Sequence, residues 1–311
     1  MTASGEPDNG GFSHETLFYR DERAYLAGTV PFVLDGLAAG EPVAVAVPGE
    51  NLDRIQDALG TSAAEVRLID MAVAGRNPGR IIPGVLSAFA DTHPGPLRLV
   101  GEPIWAGRTA AEYLACVQHE ALINVAFAGR AGTTVLCPYD ARLPQPVLAD
   151  AEATHPVLVD GVGRQLSSRY APDDVLATAN VPLVAPPEAA AMAFALDGLA
   201  RARRFAVDLA KTAGLKGDRL DDLALAVGEL TSNSVQHGGG SGVLRVWSNH
   251  DEVICEVTDA GRVTDPLAGR RPASPGQVGG RGLLLVNCVA DLVRTYYGPG
   301  GTVTRLHVRT D

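Results

Sequence analysis

The chain has 311 residues, 46% of them hydrophobic, a length that suggests two domains and a composition able to bury ordinary cores. Its 36 acidic residues against 26 basic ones give a net charge of −10, which argues against a general nucleic-acid-binding surface. The four cysteines lie far apart with no Cys-x-x-Cys pair, the polar start MTASGEPDNGG is unlike a signal peptide, and no apolar run is long enough to span a membrane. The expectation is a reduced cytoplasmic protein with buried thiols.

In chain order, residues 1–11 read as a flexible N-terminus and residues 12–170 as a first domain. The apolar run Thr16 to Tyr19 precedes an amphipathic helix, Arg23 to Ala39, ending at Gly40. Pro42 to Val47 (PVAVAV) is continuously apolar, as expected for a strand covered on both faces. A helix is predicted over Asn51 to Leu59 with Asn51 as its cap, then a strand over Val66 to Asp70 and a helix over Ile81 to Thr92. Strand Pro96 to Gly101, helix Thr109 to Ala128, strand Thr133 to Pro138 and helix Pro146 to His155 complete the series. Strands and helices alternating at this rhythm predict an α/β domain, its sheet mostly parallel with helices on both faces.

This domain carries no Gly-x-x-x-x-Gly-Lys-Ser/Thr loop, no Gly-x-Ser-x-Gly elbow and no Gly-x-Gly-x-x-Gly after a strand. His14, Glu102, Trp105, His119, Glu120, Cys137, Tyr139, Asp140 and His155 are spread over strand ends and helices, and read singly as core or solvated polar groups. His119 and Glu120 are adjacent, so they point to different helix faces and form no metal-ligand pair by spacing. Glu102-Pro103-Ile104-Trp105 stands apart, because it follows the carboxyl end of a predicted strand, where α/β sheets bind ligands.

Residues 171–188, with Pro172, Pro182, Pro186 and Pro187, read as a semi-rigid linker to a second domain over 189–311 that opens on a helix from Ala189 to Ala213. That helix has no His-Glu pair of the kind histidine kinases phosphorylate, and its Arg201, Arg203 and Arg204 read as a solvated face. Leu220, Leu223, Ala224, Val227, Leu230 and Val235 recur at helical spacing up to His237, and Gly238 to Gly240 end the helix. Glu229 and Asn233, four apart, share one face, with His237 on a neighbouring line. A carboxylate and a carboxamide so placed can hold a hydrated magnesium ion and a phosphate tail. Next comes a strand, Val253 to Thr258, ending in Asp259-Ala260-Gly261, where a carboxylate can accept from an adenine amino group. Gly279-Gly280-Arg281-Gly282-Leu283 then opens a second apolar helix with backbone N–H groups free for phosphates, and Gly301-Thr302 starts a last strand.

The stretches ARRFAVDLAKTAGL, LALAVGELTSNSVQHG, VTDAGR and GGRGLLLV, within residues 195–310, resemble the GHKL ATPase superfamily, and in particular its anti-sigma-factor serine kinase branch. The resemblance implies an α+β two-layer sandwich, the GHKL/Bergerat ATPase fold, binding Mg-ATP. It implies Glu229 as general base, Asn233 on magnesium, Asp259 on adenine, and Gly261, Gly280 and Gly282 shaping pocket and lid, with His237, Arg281 and Leu283 among the nucleotide-site residues. Thr302 would support the adenine contact, although Thr304 is available on the same face; Val263 replaces a glycine usual in the family, which shifts lid flexibility to Gly269 and Gly276. HETLFYRDERAYLAGTVPFVLDGLAAGEPVAVAVP, RLVGEPIWAGR and TVLCPYDARLP resemble the MEDS (methanogen/methylotroph, DcmR-type) sensory domain, implying an input domain distantly akin to RecA-type folds. From position alone, its ligand candidates are His14, Tyr19, Glu102, Trp105 and Tyr139.

The resemblances together imply a homodimeric signalling regulator with a sigma factor and an anti-sigma-factor antagonist as protein partners. It would contact neither nucleic acid nor membrane, and a small molecule would act at the first domain. Its activity would be an ATP-dependent serine/threonine protein kinase; the alternative is a nucleotide-gated, sigma-sequestering protein without transfer. An independent hydrolase in the first domain finds no nucleophile–base signature.

Overall fold

In the computed structural model residues 11–161, 163–273 and 280–310 are described. The chain divides into two compact units, one of residues 1–75 and 84–177, the other of residues 76–83 and 178–311.

The first unit begins with strand β1 (Ser13–Tyr19) and helix α1 (Glu22–Ala38), capped by Asp21, whose side chain accepts from the Ala24 amide. Strand β2 (Val43–Val47) is buried at every position, as a strand covered on both faces must be. Helix α2 (Gly49–Leu59) has Pro48 as its cap; Asn51, predicted to cap it, lies inside the helix and points its amide elsewhere. After strand β3 (Arg67–Asp70), the predicted helix over 81–92 is broken up. Helix α3 (Met71–Ala74) precedes a π turn at Ile82–Leu86, and only Ser87–Ala90 is α-helical, as α4. Pro83, lacking an N–H, sits in that turn. Strand β4 (Leu97–Gly101) leads to helix α5 (Ala110–Phe127), started by a capping box between Thr109 and Glu112.

Strand β5 (Thr133–Asp140), helix α6 (Gln145–Thr154), and strands β6 (Val157–Asp160) and β7 (Gly163–Leu166) follow. The last two have little hydrophobic alternation and were not predicted. The sheet order is β3-β2-β4-β5-β1-β6-β7, every pairing parallel except β6 with β7. Parallel pairing sets the carboxyl ends of β1, β2, β4 and β5 along one edge. The predicted linker contains helix α7 (Pro172–Ala179).

The second unit opens on strand β8 (Ala190–Ala195), where a helix was predicted; helix α8 (Leu199–Thr212) begins only after it. The alanine-rich run AAMAFA has no helical bias strong enough to resist pairing with a neighbouring strand. Ala202, Ala206 and Ala210 of α8 are fully buried, four apart, and let helix α9 (Asp218–His237) approach closely. Leu223, Ala226, Val227 and Leu230 of α9 face the same core. Strands β9 (Ser241–Asn249) and β10 (Glu252–Asp259), helix α10 (Gly282–Val289), and strands β11 (Leu292–Gly298) and β12 (Gly301–Arg309) complete a five-stranded antiparallel sheet of order β11-β12-β10-β9-β8. Val253, Cys255 and Val257, alternate residues of β10, meet Leu244, Val246, Leu306 and the helices in one core. Residues 76–83 belong to this unit: Asn77 Nδ2 donates to the Asn287 carbonyl at 2.9 Å and Arg76 pairs with Asp291 at 2.6 Å. No helix among the described residues is long and apolar enough to cross a membrane.

Candidate functional site

The chemistry of the second unit gathers where α9, β10, β12 and the start of α10 converge on a cavity of about 710 Å³. Its lining includes Glu229, Asn233, His237, Asp259, Gly261, Gly280, Arg281, Gly282, Leu283, Thr302 and Thr304, so these residues singled out from the sequence reach one space. Helical spacing puts Glu229 and Asn233 one turn apart, facing Gly282, the first residue of α10. A Cβ on Gly282 would lie 2.4 Å from Glu229 Oε2 and 3.4 Å from Asn233 Nδ2, so only glycine lets the helix start come this close. Gly280, with φ of 73°, takes the left-handed turn before it.

Asp259, at the end of β10, is fixed from both sides. It accepts from Ser234 Oγ at 2.5 Å and from the Gly261 amide at 2.8 Å. Thr302, its register partner on β12, donates to the Gly261 carbonyl at 2.9 Å. Thr302 therefore holds the glycine turn, and Ser234, which the sequence reading passed over, is the residue that orients Asp259. Its signal was present: it lies one turn beyond Leu230 on the buried side of α9. Gly238 and Gly261 pack against Asp259, where a Cβ on either would come within 3 Å of that carboxylate. His237, the last residue of α9, is exposed, and Gly269 takes a φ of 72° against Leu283. Gly276 and Gly279 lie outside the described residues.

In the first unit the candidates separate into two clusters. At the carboxyl edge of the sheet, Glu102 accepts from Tyr19 Oη (3.0 Å), Tyr25 Oη (3.2 Å) and Asn51 Nδ2 (2.8 Å). Burial pushes the Glu102 carboxyl from 4.5 up to about 7, and burial together with that carboxylate pushes both phenols up. Tyr25 and Asn51 were missed because they come from helices that close over the edge. Trp105 joins neither cluster; its ring takes the Arg108 guanidinium at 3.8 Å.

The second cluster corrects the reading of isolated polar groups. His14 on β1, Cys137 on β5, Glu120 on α5 and His155, the C-cap of α6, converge with ligand atoms all within 4.8 Å of one another. Parallel register pairs Thr16 with Cys137, and His14 shares the face of Thr16 two residues away. Burial and the nearby His155 lower His14 to about 4, so it is neutral. Tyr139 lies edge-on to His155, with centroids 5.6 Å apart. The expectation of buried thiols holds for Cys116, Cys137 and Cys255, but Cys288 is exposed.

Two family models match the chain: MEDS, the methanogen/methylotroph DcmR sensory domain, over residues 13–156, and the histidine kinase-like ATPase domain over residues 192–308. No curated protein matches it. The mostly parallel sheet of the first unit, and the antiparallel sheet with helices of the second, agree with these matches. The chain is a fusion of an N-terminal MEDS sensory domain with a C-terminal histidine kinase-like ATPase domain.

Proposed function

We propose that this ATPase-type regulator is an Mg-ATP-dependent serine/threonine protein kinase of the anti-sigma kind, governed by its sensory domain. The observation that carries the reading is the close seating of the α10 N-terminus against Glu229 and Asn233, with Asp259 held firmly across the same cavity. The residues fit the implied ligands. Asn233 offers a hard oxygen donor suited to magnesium, Glu229 a carboxylate beside it, and the helix start free N–H groups to phosphate. Bound magnesium would offset phosphate charge during transfer. Asn233 would hold the ion, Asp259 would accept from the adenine amino group, and Glu229 would take the proton of an acceptor serine or threonine hydroxyl.

The acceptor would be an antagonist protein and the sequestered partner a sigma factor, with the chain as a homodimer in a cytoplasmic setting. A small molecule at the MEDS domain would bias the nucleotide state through the segment over 171–188.

The test is calorimetric titration of Mg-ATP into wild type and Asn233→Ala, with labelled-phosphate transfer measured for wild type and Glu229→Gln. Magnesium-dependent binding lost in Asn233→Ala is expected. Transfer reduced about 10²–10⁴-fold in Glu229→Gln, with binding spared, would fit a general base. Transfer retained in that variant removes Glu229 from the role. Wild-type binding with no transfer to a serine-bearing antagonist favours a nucleotide-gated binding protein instead.

A further inference from the structure

We propose that the MEDS domain contains a tetrahedral Zn²⁺ site formed by His14 Nε2, His155 Nε2, Cys137 Sγ and a Glu120 carboxylate oxygen. The proposal is independent of the kinase reading. Glu120 Oε2 lies 3.2 Å from His14 Nε2 and 3.3 Å from His155 Nε2. Cys137 Sγ lies 3.4 Å from His14 Nε2 and 3.5 Å from Glu120 Oε2. Bond lengths of about 2.1 Å to nitrogen or oxygen and about 2.3 Å to sulfur, at tetrahedral angles, require edges of about 3.4 and 3.6 Å. Four of the six edges therefore lie within about 0.2 Å of that tetrahedron, and the two from His155 Nε2 to His14 Nε2 and to Cys137 Sγ are within 4.8 Å.

The tautomers are set for ligation. His155 Nδ1 lies 2.8 Å from the Ala151 carbonyl, which can only accept, so Nδ1 carries a proton, and in the neutral ring that leaves Nε2 with the lone pair. His14 Nδ1 faces Asn124 Oδ1 at 3.2 Å. The orientation of that amide is fixed, because Asn124 Nδ2 donates to the carbonyl of Thr154 at 2.8 Å. Both Nε2 lone pairs thus face a carboxylate oxygen, an arrangement of acceptors against acceptors that a cation at their centre resolves. Among the described residues His155 Nε2 and Glu120 Oε1 have no hydrogen-bond partner, and the four residues are at most 1% exposed. An imidazole that gives its second N–H to a carbonyl is the usual outer support of a bound zinc ion.

The charges also balance. The Glu120 carboxylate and a Cys137 thiolate neutralise a divalent ion in a dry interior, and the thiol proton leaves to solvent on binding. Four protein ligands and no exposed edge describe a closed site that joins β1, β5, α5 and α6.

The experiment takes the tag-free full-length chain, stripped by a chelator, and titrates it with Zn²⁺ by calorimetry and with Co²⁺ by absorption. Expected are one equivalent of zinc per chain, a raised melting temperature, and intense tetrahedral cobalt bands with thiolate charge transfer that disappears in Cys137→Ser. Should Cys137→Ser fail to fold, Asn124→Ala retains all four ligands but releases His14 Nδ1, and zinc should bind about 10–100-fold more weakly. Substoichiometric zinc uptake by folded protein, charge transfer that survives in Cys137→Ser, or an unchanged affinity in Asn124→Ala would overturn the proposal.

Discussion

Gly282→Ala separates positioning from folding at the nucleotide cavity. The added methyl would sit 2.4 Å from Glu229 Oε2, against an ordinary contact of about 3.5 Å, so the carboxylate must retreat by about 1 Å. Glu229 is only partly buried and its carboxylate is the far end of a flexible side chain, so the retreat costs little folding energy. Replacing glycine by alanine at a helix start also favours the helix, by up to about 1 kcal/mol. A misplacement of about 1 Å at a reacting group costs on the order of 10²-fold in rate, or about 2.7 kcal/mol of barrier. The two readouts should therefore move independently: an unfolding midpoint unchanged or slightly raised, and phosphoryl transfer at saturating Mg-ATP down about 100-fold. Initial transfer rates and denaturant titration on the same preparations measure both. Transfer within about threefold of wild type would refute the claim that Glu229 must hold this position, and a collapse in stability would refute the claim that the clash is relieved by a side chain alone.

Two further outcomes follow from the carboxylates. Glu102 keeps a proton in the folded state up to about pH 7 that the unfolded chain releases near 4.5, so its stabilising contribution is full below 4.5 and is lost as pH rises through 7. Over that window the loss is on the order of 3 kcal/mol, and Glu102→Gln should flatten the fall in stability from pH 5 to 8; an unchanged pH slope in the variant would assign the titration elsewhere. Asp259→Ala removes the acceptor for Ser234 and the Gly261 amide, which should cost about 1–3 kcal/mol of stability and weaken ATP binding at least about tenfold; calorimetry that finds ATP affinity unchanged would detach Asp259 from nucleotide recognition.

How much of this was legible in the sequence depended on how locally it was encoded. Glu229, Asn233 and Gly238 lie on one helix and its end, so periodicity alone aligned them. The glycines were readable because each close approach needs a missing Cβ, as at Gly282 and Gly261. The strand Ala190–Ala195 was read as helix because alanine favours helices locally, and the pairing that overrides it comes from β9, some fifty residues on. Asn51 shows the same failure on one residue: a good capping type, drawn instead by the Glu102 carboxylate that the fold brings to α2. The convergence of His14, Glu120, Cys137 and His155 was the least legible. Adjacent His119 and Glu120 do diverge on their helix, but the partners of Glu120 come from β1, β5 and the end of α6.

Glu102 and Glu120, two of the buried carboxylates of the first unit, meet different surroundings at the two ends of strand β1. His14 and Tyr19 stand near its opposite ends, five residues or about 17 Å apart. At the Tyr19 end Glu102 is ringed by donors, two phenols and an amide, and any charge there is satisfied by hydrogen bonds or removed by a proton. At the His14 end Glu120 faces two imidazole Nε2 atoms and accepts one weak bond from the Cys137 thiol, a poorer set of donors than Glu102 has. The same side chain under the same burial therefore calls for different counterparts. A proton suffices for Glu102, whose edge lies where parallel sheets receive ligands. Glu120 calls for the cation proposed above. On this argument the metal proposed at the amino-terminal end of β1 and the small-molecule ligand proposed for the sensory domain would occupy opposite ends of one strand.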